Sequence, residues 1–148
     1  MEFKPYQHNA KYYETDQMGV VHHSNYIRWF EEARIDWMEQ AGIHYDEMEA
    51  RGIIIPVIGV SAEYKTMTHF RDTVEVFFHL DRYNGVRFAM SYQVRDAKTG
   101  ELRCTGTSEH CFLAREGYRP VNLKRHAPDY HAIFASMLAC QPELPPAR

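Results

Sequence analysis

The sequence predicts an α+β domain in which an antiparallel sheet covers one long helix. Apolar residues recur at helical spacing across residues 25–40, and the period changes to two from residue 57 onward. The dipeptide Asn84-Gly85, which is typical of a tight turn, separates two of the alternating segments. A helix followed by strands joined by hairpins is the arrangement in which one face of an antiparallel sheet packs on that helix.

The long helix follows an opening strand, which is predicted for residues 3–13. The residues at helical spacing are Tyr26, Phe30, Ala33 and Trp37, with Ala41 continuing the line. Charged residues fill the positions between them and would face the more polar side. Ser24 or Asn25 is expected to cap the start of this helix, and Gly42 is expected to end it.

Four strands are predicted after a shorter helical segment near residues 45–50. They lie in residues 57–65, 73–80, 86–95 and 102–113. Alternation is cleanest in the third strand, whose apolar positions are Val86, Phe88, Met90, Tyr92 and Val94. A turn at residues 96–100 would make a second hairpin.

The chain contains no internal repeat or linker, so residues 1–140 are predicted to form a single domain. A short helix is expected within residues 127–140, and residues 141–148, which include three prolines, are expected to form a flexible tail. A lone sheet on one helix leaves an outer face and edges to protect. Aromatic-rich strands therefore favour oligomerisation.

Composition excludes several classes of function. With 148 residues, 45% of them hydrophobic, the chain fits one globular domain with a core. A formal charge of −3 gives no reason to expect nucleic acid or a membrane surface as a partner. The longest apolar stretch, residues 53–60, is too short for a bilayer, which needs roughly 20 residues. The start lacks a signal-peptide pattern and the three cysteines form no CxxC pair, so a cytoplasmic location is expected.

The stretch that points most directly to chemistry is residues 12–26, between the predicted strand and helix. In it, Asp16 is followed three residues later by Gly19 and then by an apolar pair. A carboxylate in such a loop can act as a nucleophile or as a base that activates water. An Asp near a Gly also commonly makes a turn or caps a helix. The residues themselves leave these two readings about even.

Two adjacent histidines, His22 and His23, precede the helix. No HExxH pattern or Cys/His cluster accompanies them, so a metal site is not predicted, and no phosphate-binding or dinucleotide motif suggests a cofactor. Amides at a helix start lack intrahelical partners and can hold the developing oxyanion of an ester or thioester. A carboxylate beside such a helix end would supply both halves of an acyl-transfer site. The alternative is that one histidine packs and the other is solvated.

Two motifs carry a resemblance to a known family. The first is Asp16-x-x-Gly19-x-Val21-x-x-x-Asn25-Tyr26, followed by Trp29-Phe30-Glu31 and Ala33-Arg34. The second is Tyr64-x-x-x-x-x-Phe70-Arg71-Asp72-x-Val74-Glu75-Val76. Across about residues 4–112 the chain resembles the hot-dog fold acyl-CoA thioesterases, in particular the branch of 4-hydroxybenzoyl-CoA thioesterase and its short-chain acyl-CoA relatives.

The resemblance implies a hot-dog fold, in which a strongly curved antiparallel sheet wraps one long central helix. It also implies homodimers, often paired into tetramers, with active sites at the subunit interface. It puts Asp16 at the catalytic carboxylate position and the amide near His23 against the thioester oxygen, with an auxiliary role for the His23 side chain. Val21 and Tyr26 belong to the same motif and are expected beside the acyl group.

The sequence therefore predicts an acyl-CoA thioesterase that releases a free acid and coenzyme A without a metal or cofactor. Basic residues must meet the phosphates of coenzyme A, and the candidates are Lys65, Arg71, Arg82 and Arg87. For any one of them, an ordinary solvated charge is the commoner explanation. Two alternatives stay open: a thioesterase for acyl chains on a carrier protein, and a non-catalytic domain that binds acyl ligands.

Overall fold

The computed structural model describes residues 2–147, which form an antiparallel sheet with helices packed against it. The strands are β1 (Tyr6–Asn9), β2 (Ile53–Ile54), β3 (Val57–Tyr64), β4 (Thr73–Tyr83), β5 (Arg87–Asp96), β6 (Leu102–Cys111) and β7 (Leu113–Ala114). The helices are α1 (Ser24–Ala41), α2 (Tyr45–Ala50), α3 (Leu123–His126) and α4 (Pro128–Ala139), and a short 3₁₀ turn spans Tyr12–Glu14.

Five strands form a curved antiparallel sheet in the order β1–β4–β5–β6–β3, and β2 pairs separately with β7. The register shifts in β4 after Leu80 and in β3 after Val57. Such bulges bend a strand and increase its twist, which helps the sheet to curve. The predicted α+β fold with a curved antiparallel sheet is confirmed.

Both predicted hairpins are present. In the first, the side-chain oxygen of Asn84 accepts the amides of Val86 and Arg87 at 3.0 and 2.8 Å. Gly85 follows with φ of 89°, a conformation that glycine adopts without a steric penalty. In the second, the Gly100 amide donates to the Asp96 carbonyl at 2.9 Å.

The helix α1 packs one face against the sheet because its large apolar side chains share a single stripe. Gly42 ends it in the left-handed conformation, as expected, with its amide bonded to the Glu39 carbonyl at 3.1 Å. The predicted cap is wrong. Ser24 and Asn25 lie inside the first turn, and the N-cap is His23, whose side chain makes no capping hydrogen bond.

The prediction of one long central helix is not confirmed in that form. The 18-residue helix α1 is the longest in residues 2–147, but the 12-residue helix α4 also packs on β4. Phe134 of α4 lies edge-on to Trp37 of α1, with ring centroids 5.2 Å apart. None of the helices described in residues 2–147 is long and apolar enough to cross a membrane.

Phe30 packs on the sheet at the point where β6 carries Gly106. Its ring stacks on Tyr92 at 4.5 Å with the planes only 10° apart. A Cβ atom at residue 106 would lie 2.3 Å from the Phe30 ring and 2.8 Å from the Ser61 carbonyl oxygen. Glycine at this position therefore sets how closely α1 can approach β5 and β6.

The strand β3 forms one edge of the sheet, and much of its apolar surface is exposed. The exposed side chains, between 44% and 52% accessible, are Val57, Ile58, Val60 and Tyr64. Three of these residues, Ile58, Val60 and Tyr64, belong to the face that the alternation of this strand predicts, and α1 leaves all three exposed. An unpaired edge strand with this much apolar surface is a site for association with another chain.

At the opposite edge of the sheet, the C-terminal segment contacts β4 beyond the point where β1 ends. β1 pairs only with the first part of β4, and the side-chain amide of Gln141 takes over at Leu80. It accepts the Leu80 amide at 2.8 Å and donates to the Leu80 carbonyl at 2.6 Å. Further along, Gln93 donates to the Pro145 carbonyl at 2.5 Å. The flexibility predicted for residues 141–148 concerns motion and stays a prediction.

Candidate active site

A tight hairpin carries Asp16 between the 3₁₀ turn and α1. Thr15 pairs with Val21 across this hairpin, and the Asp16 amide donates to the Val20 carbonyl at 2.8 Å. The Gly19 amide donates back to the Asp16 carbonyl at 3.0 Å, with φ of 79° at Gly19. The hairpin therefore holds Asp16 in a fixed relation to the residues that lead into α1.

The Asp16 carboxylate is half-buried, and one of its oxygens is already in use. Oδ1 accepts the Met18 amide at 2.8 Å, which is the hydrogen bond of an Asx turn. Oδ2 has no hydrogen-bond partner within residues 2–147. Asp16 therefore does form a turn, which was the alternative to a catalytic role in the sequence analysis. It also keeps one oxygen available for chemistry.

The backbone amides at the start of α1 differ in whether they have a hydrogen-bond acceptor. The amides of His22, Ser24 and Asn25 are all hydrogen-bonded, whereas the His23 amide has no partner in the part of the chain that the structure describes. The three acceptors are the Glu14 carbonyl at 2.8 Å, the His22 Nδ1 atom at 3.2 Å and the His22 carbonyl at 3.0 Å. Because His23 is the N-cap of α1, its free amide lies at the positive end of the helix dipole.

The His23 imidazole is exposed and lies beside two other rings. Its centroid is 4.1 Å from that of His22 and 6.1 Å from that of Tyr64. The Tyr64 hydroxyl donates to the His23 carbonyl at 3.1 Å, so β3 is tied to the start of α1. The Nδ1 atom of His22 is 2.9 Å from the Ser24 hydroxyl. Of the two histidines, His23 is the one whose ring and backbone both meet β3.

Thr68, in the loop between β3 and β4, holds the hairpin from the other side. It is fully buried, its carbonyl accepts the Val21 amide at 2.8 Å, and its hydroxyl accepts the Tyr26 hydroxyl at 3.0 Å. Burial raises the pKa of the Tyr26 hydroxyl, which therefore stays protonated. Nothing in the sequence pattern pointed to Thr68, because its role depends on contacts with residues more than 40 positions away.

Val21 and Tyr26, which the sequence places beside the acyl group, are only 5% and 4% exposed. Their side chains form the floor under the hairpin. Tyr64 adds exposed aromatic surface beside them, with its ring centroid 5.4 Å from that of Tyr26. The alternation of β3 predicted which face Tyr64 occupies, but only the tertiary contact with His23 makes it part of the site.

Glu14 is a second residue that the sequence analysis missed. It is buried, and its carboxylate accepts hydrogen bonds from the Lys11 amide at 2.7 Å and the Trp29 indole at 2.9 Å. The His8 Nε2 atom lies 2.8 Å from the same carboxylate. Burial raises the pKa of Glu14, but hydrogen bonding to His8, Lys11 and Trp29 outweighs burial and lowers its pKa below the ordinary value.

Lys65 and Arg71 lie at the two ends of the loop that contains Thr68. Lys65 is 3.1 Å from the Glu63 carboxylate in an exposed ion pair. Arg71 is exposed, and its guanidinium lies 5.4 Å from the Phe70 ring centroid. Its φ of 76° is uncommon for a residue with a side chain. Both cations belong to the loop whose backbone, at Thr68 and His69, pairs with the Asp16 hairpin.

Arg82 and Arg87 lie elsewhere. They line a cavity of about 350 Å³ whose other lining residues are Ile58, Tyr83, Asn84, Phe88, Ala89, Glu109 and His110. None of these residues belongs to the Asp16 hairpin or to α1, so the structure does not bring these two arginines to the site. Residues 2–147 also contain no group of three or more His, Cys, Asp or Glu side chains that could hold a metal ion.

The arrangement combines a carboxylate with a free oxygen, a free amide at a helix N-terminus and an exposed tyrosine ring. A carboxylate can act on a carbonyl carbon, directly or through water, while an amide holds the carbonyl oxygen. A curved sheet packed on a helix, with such a hairpin leading into that helix, is the architecture of the hot-dog thioesterases.

Comparison with known proteins agrees with this class. The profile of the thioesterase-like superfamily matches residues 11–134. A protein of Bacillus subtilis (strain 168), provisionally named acyl-CoA thioesterase YneP, is 33% identical over 125 residues, which are 84% of this chain and 90% of that protein. This chain belongs to the thioesterase-like superfamily.

Solved structures agree on the fold. The crystal structure of DHNA-CoA thioesterase from Staphylococcus aureus superposes with a TM-score of 0.88 at 34% identity, covering 94% of this chain and 93% of that one. A 1,4-dihydroxy-2-naphthoyl-CoA thioesterase from Synechocystis has the same fold, with a TM-score of 0.81 at 17% identity and coverage of 90% and 96%. The predicted hot-dog fold is confirmed.

Proposed function

We propose that this protein is an acyl-CoA thioesterase in which Asp16 is the catalytic carboxylate and the His23 amide holds the thioester oxygen. The observation that carries the proposal is that the His23 amide has no partner within residues 2–147, whereas the amides of His22, Ser24 and Asn25 are bonded. The same hairpin presents a free oxygen of Asp16. Relatives named for acyl-CoA and DHNA-CoA support a coenzyme A thioester as the substrate.

The reaction needs a nucleophile at the carbonyl carbon and a positive group at the carbonyl oxygen. Asp16 either takes a proton from the water that attacks this carbon, or attacks the carbon itself and is released by water in a second step. In both routes the C–S bond breaks, coenzyme A leaves as its thiol, and one water molecule is consumed. In the direct route water gives its oxygen to the free acid. In the two-step route water cleaves the anhydride between Asp16 and the acyl group. Stabilisation by one oxyanion donor such as the His23 amide is typically worth roughly 3–4 kcal/mol.

Different residues around the site contact the acyl group and the coenzyme A part of the substrate. Tyr64 and the His23 ring flank the acyl group above the floor formed by Val21 and Tyr26. Lys65 and Arg71 meet the phosphates of coenzyme A, because their loop is hydrogen-bonded to the catalytic hairpin. The exposed guanidinium of Arg71 makes no ion pair within residues 2–147, which leaves it available for a phosphate.

We further infer that two copies of the chain pair through β3, with the active sites at the subunit interface and with tetramers formed from such dimers. The exposed apolar side chains of this edge strand support the pairing, since they continue into the site through Tyr64. A cytoplasmic location is part of the same proposal, supported by three cysteines that are all free.

The test is thiol release from a panel of aliphatic and aromatic acyl-CoA thioesters, including DHNA-CoA, by wild type and by Asp16→Asn. Asparagine keeps an oxygen for the Met18 amide, so the turn should survive. We expect kcat to fall by at least ~100-fold. Asp46→Asn, which alters an exposed carboxylate on α2, should leave turnover unchanged. Equal turnover by wild type and Asp16→Asn would remove Asp16 from the chemistry.

Other outcomes of the same panel identify the alternatives. Turnover of acyl carrier protein thioesters with none of acyl-CoA would indicate the carrier-protein enzyme, and binding without any turnover would indicate a non-catalytic acyl-binding domain. A single turnover in H₂¹⁸O separates the two roles of Asp16. Label in Asp16 would show that Asp16 attacks the carbonyl carbon and that water then opens the resulting anhydride at the Asp16 carboxyl carbon. Direct attack by water puts the label into the acid and leaves Asp16 unlabelled.

A further inference from the structure

The Glu14 side chain fastens the catalytic hairpin to the core from a position two residues before Asp16. Its two carboxylate oxygens take three contacts: the Lys11 amide at 2.7 Å, the His8 Nε2 atom at 2.8 Å and the Trp29 indole at 2.9 Å. These partners are the N-cap residue of the 3₁₀ turn, a residue of β1 and a residue of α1. Glu14 is only 5% exposed, so these bonds are shielded from water.

The backbone of the same residue reaches the other half of the site. The Glu14 carbonyl accepts the His22 amide at 2.8 Å and the side-chain amide of Asn25 at 2.8 Å. Asn25 is itself buried in the first turn of α1. His23, with its free amide, lies between these two anchored residues. One residue therefore fixes both the start of the Asp16 hairpin and the chain on either side of the His23 amide.

The anchor continues away from the site through His8. Its second ring nitrogen, Nδ1, lies 3.5 Å from the Glu32 carboxylate of α1, which accepts the Tyr6 hydroxyl at 2.7 Å. The His8 side chain is 9% exposed and its ring packs on Trp29, with centroids 5.0 Å apart. Glu14 is thus held by a packed network that links β1 to α1. Because Glu14 is two residues before Asp16, this network also fixes where the hairpin begins.

We propose that Glu14 is a positioning residue, which sets the spacing between the Asp16 carboxylate and the His23 amide for thioester hydrolysis. This inference rests on the function proposed above. Acyl transfer needs both groups within a few tenths of an ångström of their places on one carbonyl group. A misplacement of about 1 Å can cost on the order of 100-fold in rate.

The first test is Glu14→Gln, which has the same shape and keeps an acceptor for the Trp29 indole. Glutamine has a single side-chain oxygen, so it can accept from the Lys11 amide or from the Trp29 indole but not from both, and one of the two anchoring bonds is lost. We expect kcat to fall by about 10- to 100-fold, with KM within about threefold of wild type, because ground-state binding is not altered. The control is Tyr83→Phe, which removes a half-buried hydrogen bond to His131 far from the hairpin. It should lower the melting temperature with kcat unchanged.

The second test is a double-mutant cycle with Asn25→Ala, which removes the side-chain hydrogen bond to the Glu14 carbonyl. If both residues act by holding the same chain segment, the double variant should lose little more kcat than the worse single variant. Fully multiplicative losses would mean that the two residues act independently, and would overturn the shared anchoring.

The third measurement needs no substrate, and so separates this inference from the thioesterase proposal. In Glu14→Gln, hydrogen exchange of the His22 amide should accelerate and the Trp29 indole resonance should shift, whereas Tyr83→Phe should change neither. A wild-type protein without turnover would defeat the thioesterase proposal and, with it, the catalytic purpose of Glu14. Unchanged exchange together with wild-type kcat in Glu14→Gln would overturn the positioning role alone.

Discussion

The Tyr64 hydroxyl donates a hydrogen bond to the carbonyl oxygen of His23 at 3.1 Å. This bond ties the edge strand β3 to the residue whose amide is free at the start of α1. A movement of β3 would therefore shift His23, whose amide is the proposed oxyanion contact. This hydrogen bond links the strand of the proposed dimer contact to the hairpin of the proposed catalytic site.

Replacing Tyr64 by Phe should lower kcat/KM by about three- to tenfold, the scale of one hydrogen bond worth roughly 1 kcal/mol. The ring and its packing on Tyr26 are kept, so the melting temperature should hardly change. Tyr118→Phe is the control, since Tyr118 is 70% exposed and lies outside the site. Thioesterase assays of both variants give the comparison. Identical kcat/KM in both would mean that the hydroxyl of Tyr64 does not matter.

The two possible contributions of His23 can be separated by His23→Ala and His23→Pro. Alanine removes only the imidazole, whereas proline also removes the backbone N–H, and φ of −55° at this position suits proline. We expect His23→Pro to have a kcat about 100- to 1,000-fold below that of His23→Ala, the usual cost of a lost oxyanion donor. Circular dichroism checks that α1 is retained. Equal kcat in the two variants would assign the role of His23 to its side chain.

Introducing a charge on β3 should dissociate the proposed dimer. Val60→Lys puts an ammonium on an apolar edge, where pairing with a second copy would bury it without a partner. We expect light scattering to report a monomer, with reduced turnover because the proposed sites lie at the interface. Leu138→Lys, at a similarly exposed apolar residue on α4, should stay associated. A dimeric Val60→Lys variant would place the interface elsewhere.

The close approach of α1 to the sheet makes Gly106→Ala destabilising. Its methyl group would lie 2.3 Å from the Phe30 ring, so the helix or the ring must move. We expect a loss of about 1–3 kcal/mol in the free energy of unfolding, measured by urea titration. Gly59→Ala on β3 is the matched control, because a methyl group there meets no atom within 4 Å. Equal stability of the two variants would contradict the packing described for Phe30.

Asp96 should make stability depend on pH. The Thr99 amide, together with the Lys98 amide and the Arg103 guanidinium, holds its pKa at about 2, against an ordinary value of 3.8. A depressed folded pKa contributes stability above about pH 4, which is lost as the pH falls toward 2. Allowing for solvent screening, the contribution is about 1–2 kcal/mol.

Asp96→Asn removes this charge while keeping an oxygen for the turn amides. Urea titrations should therefore find wild type more stable by a constant amount between pH 7 and pH 4, with the difference shrinking by pH 3. A difference that stays the same at pH 3 would show that the Asp96 charge is not its source.

The sequence was informative wherever one local pattern dominated. The helical stripe of α1 and the alternation of β5 placed these elements to within a residue or two, and Asn84-Gly85 located a hairpin. The hairpin of Asp16 was recognisable because a carboxylate and a glycine must be close in sequence to make it.

What the sequence could not show depends on contacts between distant residues. The predicted strand of residues 3–13 ends early, because Glu14 is drawn into the core by His8 and Trp29 and the chain turns instead. The expected cap at Asn25 fails for the same reason, since its side chain bonds to the Glu14 carbonyl. These hydrogen bonds between distant residues determine which amide at the helix start has no partner. Local propensity carries no information on it.

The side chain of Gln141 has a consequence for the size of any assembly. By bonding to both the amide and the carbonyl of Leu80, it occupies the ladder where another strand would otherwise add to β4. Of the two edge strands that residues 2–147 give this sheet, β3 is then the long one, with eight residues against four in β1. In the proposed dimer, two copies would cover each other's β3, so growth by strand addition at this long edge would stop at a pair. Gln141, which lies outside the sheet, thus blocks the strand addition at β4 that open-ended fibres would need.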